Sequence, residues 1–248
     1  MVLDPLAIKF FTAPILKNFA RSADSVSCQM AYHQALRGHL GTAVRVIEGY
    51  FSAEFARAHR YEKGTPARDS ELVDIWKLVE KQSDVALALH AYGDALRAEV
   101  DHIVIVTNDT DVVPCLDLIR AHTKASIGLV VPTRHQERTV NGDLSRRVDW
   151  VRAHLNDDEL AACQLPNMVK LGQQAIHKPL SWYPRPDLLE PLLTEATRVK
   201  NSRGAALKWM NTPCPHLDGQ LPIEMAASET GAQALRDYMG RYAADFGG

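Results

Sequence analysis

Apolar and polar positions come in blocks along the chain, and the blocks predict alternating strands and helices. Residues 8–13 predict a first strand, and residues 43–47 and 73–79 predict two more. Residues 103–106 are an unbroken β-branched run, the pattern of a strand buried on both faces of a parallel sheet. Residues 126–131 predict a last strand, which ends at Pro132. Between these runs the period lengthens to that of a helix. Residues 25–36 show it, with Gly38 as the stop. So do the stripe Val85, Leu89, Tyr92 and Leu96 and the set Val112, Val113, Leu116 and Ile119. Residues 18–24 and 52–69 read as loop, the second being an excursion at the sheet edge with Arg57, Arg60, Lys63 and Arg68. The alternation predicts an α/β fold, a parallel sheet with helices on both faces.

Beyond residue 131 the pattern changes. Residues 150–155 and 157–160 predict short helices. Residues 164–190 carry Pro166, Pro179, Trp182, Tyr183, Pro184 and Pro186 and read as an extended strap. Helices are predicted over 188–200, 205–210 and 232–242, with a turn-rich stretch over 211–219. The expected organisation is an α/β domain at 1–163, a linker at 164–204 and a small all-α C-terminal module at 205–248. A module of that length buries a marginal core, so another copy or another protein is expected to cover its apolar faces.

Net charge is −2, so no global field draws the chain to nucleic acid, and any such contact needs a local basic patch. Cys28, Cys115, Cys163 and Cys214 lack metal-site spacing, which suits a reducing cytoplasm and speaks against zinc. No apolar run reaches the roughly 18 residues of a membrane span. Asp4, Lys9 and Lys17 interrupt the first twenty residues, which argues against a signal peptide.

Candidate chemistry gathers just after residues 103–106, in Thr107-Asn108-Asp109-Thr110-Asp111. Open α/β sheets hold ligands at the carboxyl ends of their strands. Two carboxylates held close repel unless a proton or a cation intervenes, and Mg²⁺ takes carboxylate oxygens. If strands 73–79 and 103–106 are neighbours, Glu80 and Asp84 join Asp109 and Asp111 at one rim. Helix capping is the simpler explanation for any one of these aspartates. Residues 133–147 are basic, and Arg134, Arg138 and Arg146 would grip a phosphodiester backbone beside such an acidic pocket.

Residues 8–180 resemble the NYN family, a branch of the PIN-like nucleases. The resemblance is carried by Phe10-Phe11-Thr12-Ala13, by residues 80–85 and 107–114, by Gln164-Leu165-Pro166, and by Lys178-Pro179 ahead of Trp182. It implies a Rossmann-like (PIN-like) parallel sheet and metal-dependent hydrolysis of RNA. Asp84, Asp109 and Asp111 would then be the catalytic acids holding Mg²⁺ or Mn²⁺, supported by Glu80 and Asn108. The family's opening strand, with its Asp-Gly-x-Asn segment, has no counterpart before Ile8, and Asp4 precedes the wrong strand to replace it. Either the start is truncated or misplaced or the protein has lost a ligand, and the expectation is a ribonuclease whose activity that missing strand would impair. The alternative is an inactive RNA- or protein-binding module. A phosphatase on a similar scaffold is disfavoured, because no aspartate fills the place of its nucleophile.

Residues 205–246 are similar to the toxin-binding domain of MbcA/ParS/Xre antitoxins, through residues 208–213, Leu217-Asp218-Gly219, Leu221-Pro222 and Gly231. That resemblance implies a protein partner or dimerisation, in a toxin–antitoxin or defence setting.

Overall fold

A computed structural model describes residues 8–246, with side chains described as far as residue 242. The chain forms two compact units. One runs up to Val26 and resumes over Thr42–Gln164; the other joins Ser27–Gly41 to the residues from Leu165 on. The fold is mixed α/β, with parallel and antiparallel pairings. Among the described residues, no helix is long and apolar enough to cross a membrane.

In the first unit, β1 (Ile8–Thr12) pairs in parallel with β2 (Val44–Glu48), Ile8 opposite Val44 and Thr12 opposite Glu48. Helix α1 (Ser25–Leu40) intervenes in sequence, and its residues from Ser27 on belong to the second unit. Next, β3 (Tyr50–His59) and β4 (Leu72–Lys81) form a ten-residue antiparallel hairpin. Helix α2 (Ser83–Leu96) leads to β5 (His102–Val106), α3 (Val113–His122) and β6 (Ser126–Val130). Then follow α4 (Gly142–Ser145), β7 (Trp150–Arg152) and α5 (Asp157–Ala162). Strands β5, β6 and β7 form a parallel sheet in that order.

The core of this unit is Ile105, Ile127 and Leu129 from the sheet, Leu116 and Ile119 from α3, and Leu144 from α4. Each such side chain taken from water contributes about 1.5–3 kcal/mol. Gly128 lets Trp150 lie across the sheet: a Cβ on Gly128 would stand 2.1 Å from the indole. Trp150 Nε1 donates to His102 Nε2 at 2.9 Å, so the ring bridges both edge strands of the sheet.

Several expectations need correction here. The strand expected to be central, residues 103–106, is an edge strand; β6 is the buried one, with Ile127, Gly128 and Leu129 inaccessible. Residues 73–79 do not join the parallel sheet, because β4 pairs with β3. That pairing also turns much of the supposed loop 52–69 into strand, with Phe55 opposite Trp76. The 150–155 helix is replaced by β7, since β6 offers Gly128, Leu129 and Val130 as ladder partners. Helix α2 buries a side adjoining its apolar stripe, and of the stripe only Tyr92 packs against the core. Ala88, Ala91 and Ala95 pack inward, small enough for close approach, while Val85 and Leu89 stay 63% and 67% exposed. Asp94 forms an ion pair with Lys9, tying α2 to β1.

In the second unit, β8 (Met168–Leu171) and β9 (Gln174–His177) form a hairpin within the stretch read as a strap. Gly38 does not end α1; it admits β8. A Cβ there would stand 2.8 Å from the carbonyl oxygen of Lys170. Helices α6 (Pro186–Lys200), α7 (Arg203–Met210), α8 (Pro222–Met225) and α9 (Glu229–Phe246) complete the unit. Asn201, left-handed at φ 59°, closes α6, and the Ser202 hydroxyl caps α7 by accepting from the Ala205 N–H at 3.1 Å. Leu189, Leu192, Leu193 and Ala196 of α6 share one core with Ala206, Met210, Ile223 and Leu235. Residues from 205 on therefore bury apolar faces against α6 of the same chain.

Candidate functional site

Strand β5 ends at Val106, and the next five residues turn into α3. Asp109 caps that turn, its Oδ1 accepting from the Asp111 N–H at 3.0 Å. Its own N–H donates to the Thr107 hydroxyl oxygen at 3.0 Å. Asn108 points sideways. Its Nδ2 donates to the Thr139 carbonyl at 3.1 Å, and its Oδ1 accepts from the Asn141 N–H at 3.0 Å. Asn108 therefore splints the β5 turn to the segment leading into α4. Its amide is committed to backbone on both sides.

Asp84 stands in the first turn of α2, and Glu80 lies on β4 opposite Phe51. Asp84 is exposed as a residue, but its carboxyl is partly desolvated and held above the ordinary aspartate range. Desolvation is the main cause; the charges of Asp109, Glu80 and Asp111 follow in that order. The four acids thus share one electrostatic neighbourhood, although β4 and β5 are not paired strands. The start of α2, which carries Asp84, is anchored on β1: Ser83 is buried, and its hydroxyl reaches the Thr12 carbonyl at 3.5 Å. Asp84 therefore holds a proton more firmly than an isolated carboxylate, and the gathered negative charge attracts cations. Among the described residues, no group of three His, Cys, Asp or Glu is placed to hold a metal ion. Asp4 lies outside the described residues.

The basic segment is largely spoken for. Arg134 pairs with Asp157 at 3.0 Å and Arg146 with Asp143, while Arg138 is exposed. Arg147 reaches Asp117 at 2.8 Å. These local pairs cancel much of the charge that a nucleic-acid backbone would need.

Two anchoring residues escaped the sequence reading. Asp149 accepts from the Ile127 N–H at 2.7 Å, from the Ser126 hydroxyl and from Arg120, and the backbone bond chiefly holds its carboxyl below the usual range. In the second unit, His177 Nδ1 is buried without a hydrogen-bond partner among the described residues; burial first, then Arg203, lowers its pKa. Neither has a local signature: the partners of Asp149 lie 22 to 29 residues away, and the burial of His177 comes from the packing around it.

Residues 195–244 match the family model of the antitoxin Xre/MbcA/ParS C-terminal toxin-binding domain. The match begins within α6, earlier than residue 205, in keeping with the shared core. A protein of Pseudomonas putida (strain DSM 28022 / S16), named 6-hydroxy-3-succinoylpyridine 3-monooxygenase HspA, is 45% identical over 241 residues, 96% of this chain and 77% of that protein. No solved structure matches. The relative's name overturns the ribonuclease and hydrolase expectation: a monooxygenase is an oxidoreductase, and the likeness spans both units.

Proposed function

The chain belongs to the family of the 6-hydroxy-3-succinoylpyridine 3-monooxygenase HspA, and from that premise we propose that it binds and oxidises a small hydroxylated heteroaromatic acid. The observation that carries this reading is the reach of the likeness, 45% identity through 96% of the chain. The match at 195–244 supports a second element, a protein partner held by the C-terminal helices.

Monooxygenation places one oxygen atom of O₂ in the product and sends the other to water, a task for a flavin, haem, copper or non-haem iron. The residues on hand do not fit such a group. Among the described residues no triad of metal donors is assembled, and the sequence holds no G-x-G of a dinucleotide fingerprint. No oxygen-activating step is assigned to these side chains.

Electrostatics bears on where the substrate would sit. A succinoyl carboxylate is an anion at neutral pH, and the rim of Asp84, Asp109, Asp111 and Glu80 repels it. On this reading the rim is a place for a proton or a cation. Carboxylates are hard oxygen ligands, so a cation drawn to the rim would be a hard one such as Mg²⁺ or Mn²⁺.

The test is oxygen consumption by the full chain with 6-hydroxy-3-succinoylpyridine, a flavin and a reduced nicotinamide, with and without iron. Substrate-dependent uptake with a hydroxylated product supports the reading; uptake independent of substrate under every condition removes it. Chemical crosslinking in cells tests the second element, which fails if no crosslink to another protein falls within 195–244.

A further inference from the structure

The second unit holds a cavity of about 210 Å³. Leu189 of α6 with Ile223 and Ala226 of the α8 segment form an apolar part of its lining, and Pro184 stands beside them. The polar lining comes from three separate stretches: Asn167 ahead of β8, Lys178 and Tyr183 after β9, and Glu224 on α8. Arg185 also lines it, but its guanidinium is engaged by Asp187 at 2.7 Å.

The other four polar side chains are uncommitted. None of Asn167, Lys178, Tyr183 and Glu224 forms a side-chain hydrogen bond or ion pair with another described residue. Lys178 and Glu224 have opposite charges and line the same space, yet they do not close on each other. Instead the Lys178 ammonium rests over the Tyr183 ring, 4.7 Å from its centroid. The backbone holds it there, because the Lys178 N–H donates to the Asn167 carbonyl at 2.8 Å. The Tyr183 phenol is half-buried and stays protonated, raised by burial and by the nearby charge of Glu224, so its hydroxyl remains a donor.

An apolar cavity with a few converging polar groups is the usual form of a small-molecule site. Here the groups prescribe a ligand. Lys178 calls for an anion at one end. Glu224 accepts only, and calls for an N–H or O–H donor. The apolar lining suits a flat body, and the volume lies below the roughly 300 Å³ where pockets for drug-sized ligands begin, which suits one ring with a short chain.

We infer that this cavity binds a single-ring heteroaromatic acid, its carboxylate on Lys178 and its ring N–H or hydroxyl on Glu224. The inference rests on the proposed function for the substrate class and assigns that class to the cavity of the second unit rather than to the acidic rim of the first.

The experiment is calorimetric titration of the full chain with 6-hydroxy-3-succinoylpyridine and with 2-pyridone, which lacks the acid. Losing one charge-assisted contact is expected to weaken binding about tenfold or more, so the acid binds that much more tightly than 2-pyridone and Lys178→Gln removes the preference. Ala227→Trp, at an exposed position in the lining, blocks both ligands without touching the charges. Circular dichroism shows that each variant is folded. Affinity for the acid that is unchanged in both variants overturns the assignment, and so does no binding to the unmodified chain. Oxygen uptake is read separately: turnover that survives Ala227→Trp removes the cavity and keeps the oxidase reading, whereas variant-sensitive binding without turnover does the reverse.

Discussion

The side chain of Asn108 accepts a hydrogen bond from the backbone N–H of Asn141, 33 residues away, at 3.0 Å. With the bond from its Nδ2 to the Thr139 carbonyl, it holds the acidic turn against the start of α4. Asn108→Ala removes both bonds and leaves the half-buried Asn141 N–H and the exposed Thr139 C=O to water. The expected cost is about 1–3 kcal/mol. Hydrogen exchange at the Asn141 amide should accelerate more than at β6 amides. An unchanged Asn141 rate in a destabilised variant would show that the splint is not local.

Asp84 carries a prediction in pH. Its folded pKa lies above its unfolded value, so folding is favoured by the protonated form and handicapped once the carboxyl ionises. Asp84→Asn should therefore raise the unfolding midpoint at pH 7. The gain should vanish below the unfolded aspartate pKa of about 3.9, where both states are protonated. Mg²⁺ at millimolar level should narrow the same gap by stabilising the unmodified chain, a shift that NaCl at equal ionic strength does not reproduce.

His177 gives the opposite slope. Its folded pKa is depressed, so the neutral ring is the one the fold accommodates. Stability tied to it is complete above the unfolded histidine value of about 6.5 and declines as pH falls toward the folded pKa. Chemical denaturation at pH 7.5 and 5.5 should show a loss that His177→Gln reduces. Equal losses in both chains would place the acid sensitivity elsewhere.

Gly128 and Trp150 test the sheet. Gly128→Ala sets a methyl group 2.1 Å from an indole held by His102, so either the ring or the strand must move. Overpacking of this kind costs about 1–3 kcal/mol. The readout is the unfolding midpoint together with tryptophan fluorescence; a native spectrum with an unchanged midpoint would mean that the ring has room to retreat.

Leu235, fully buried on α9 among residues of α6 and α7, tests the C-terminal core. Leu235→Ala should cost about 2–5 kcal/mol. The loss should appear in the second unit's amide protection, with β5 and β6 amides spared.

The residue pattern alone was enough for β5, β6, α3 and, at the C-terminus, α6, α7 and α9. Their periodicity is local, and Ile119, Ile127 and Leu235 are buried as their spacing implies. Asp109 was legible as a cap for the same reason, its partner being two residues away. Three decisions belonged to the tertiary structure: which edge each strand offers, which side of α2 turns inward, and which charges remain unpaired. Val85 and Leu89 read as a core stripe, yet the adjoining side, with Leu87, Ala88, Ala91 and Ala95, takes the interior. Arg134 and Arg146 read as free cations until Asp157 and Asp143 met them. Lys178 and Glu224 stand 46 positions apart in sequence, with no shared motif, and only the folding of α8 beside β9 brings them to one cavity. Periodicity reports the energetics of one segment against water. Pairing, packing side and charge cancellation depend on contacts between distant segments, and a linear pattern does not encode them one segment at a time.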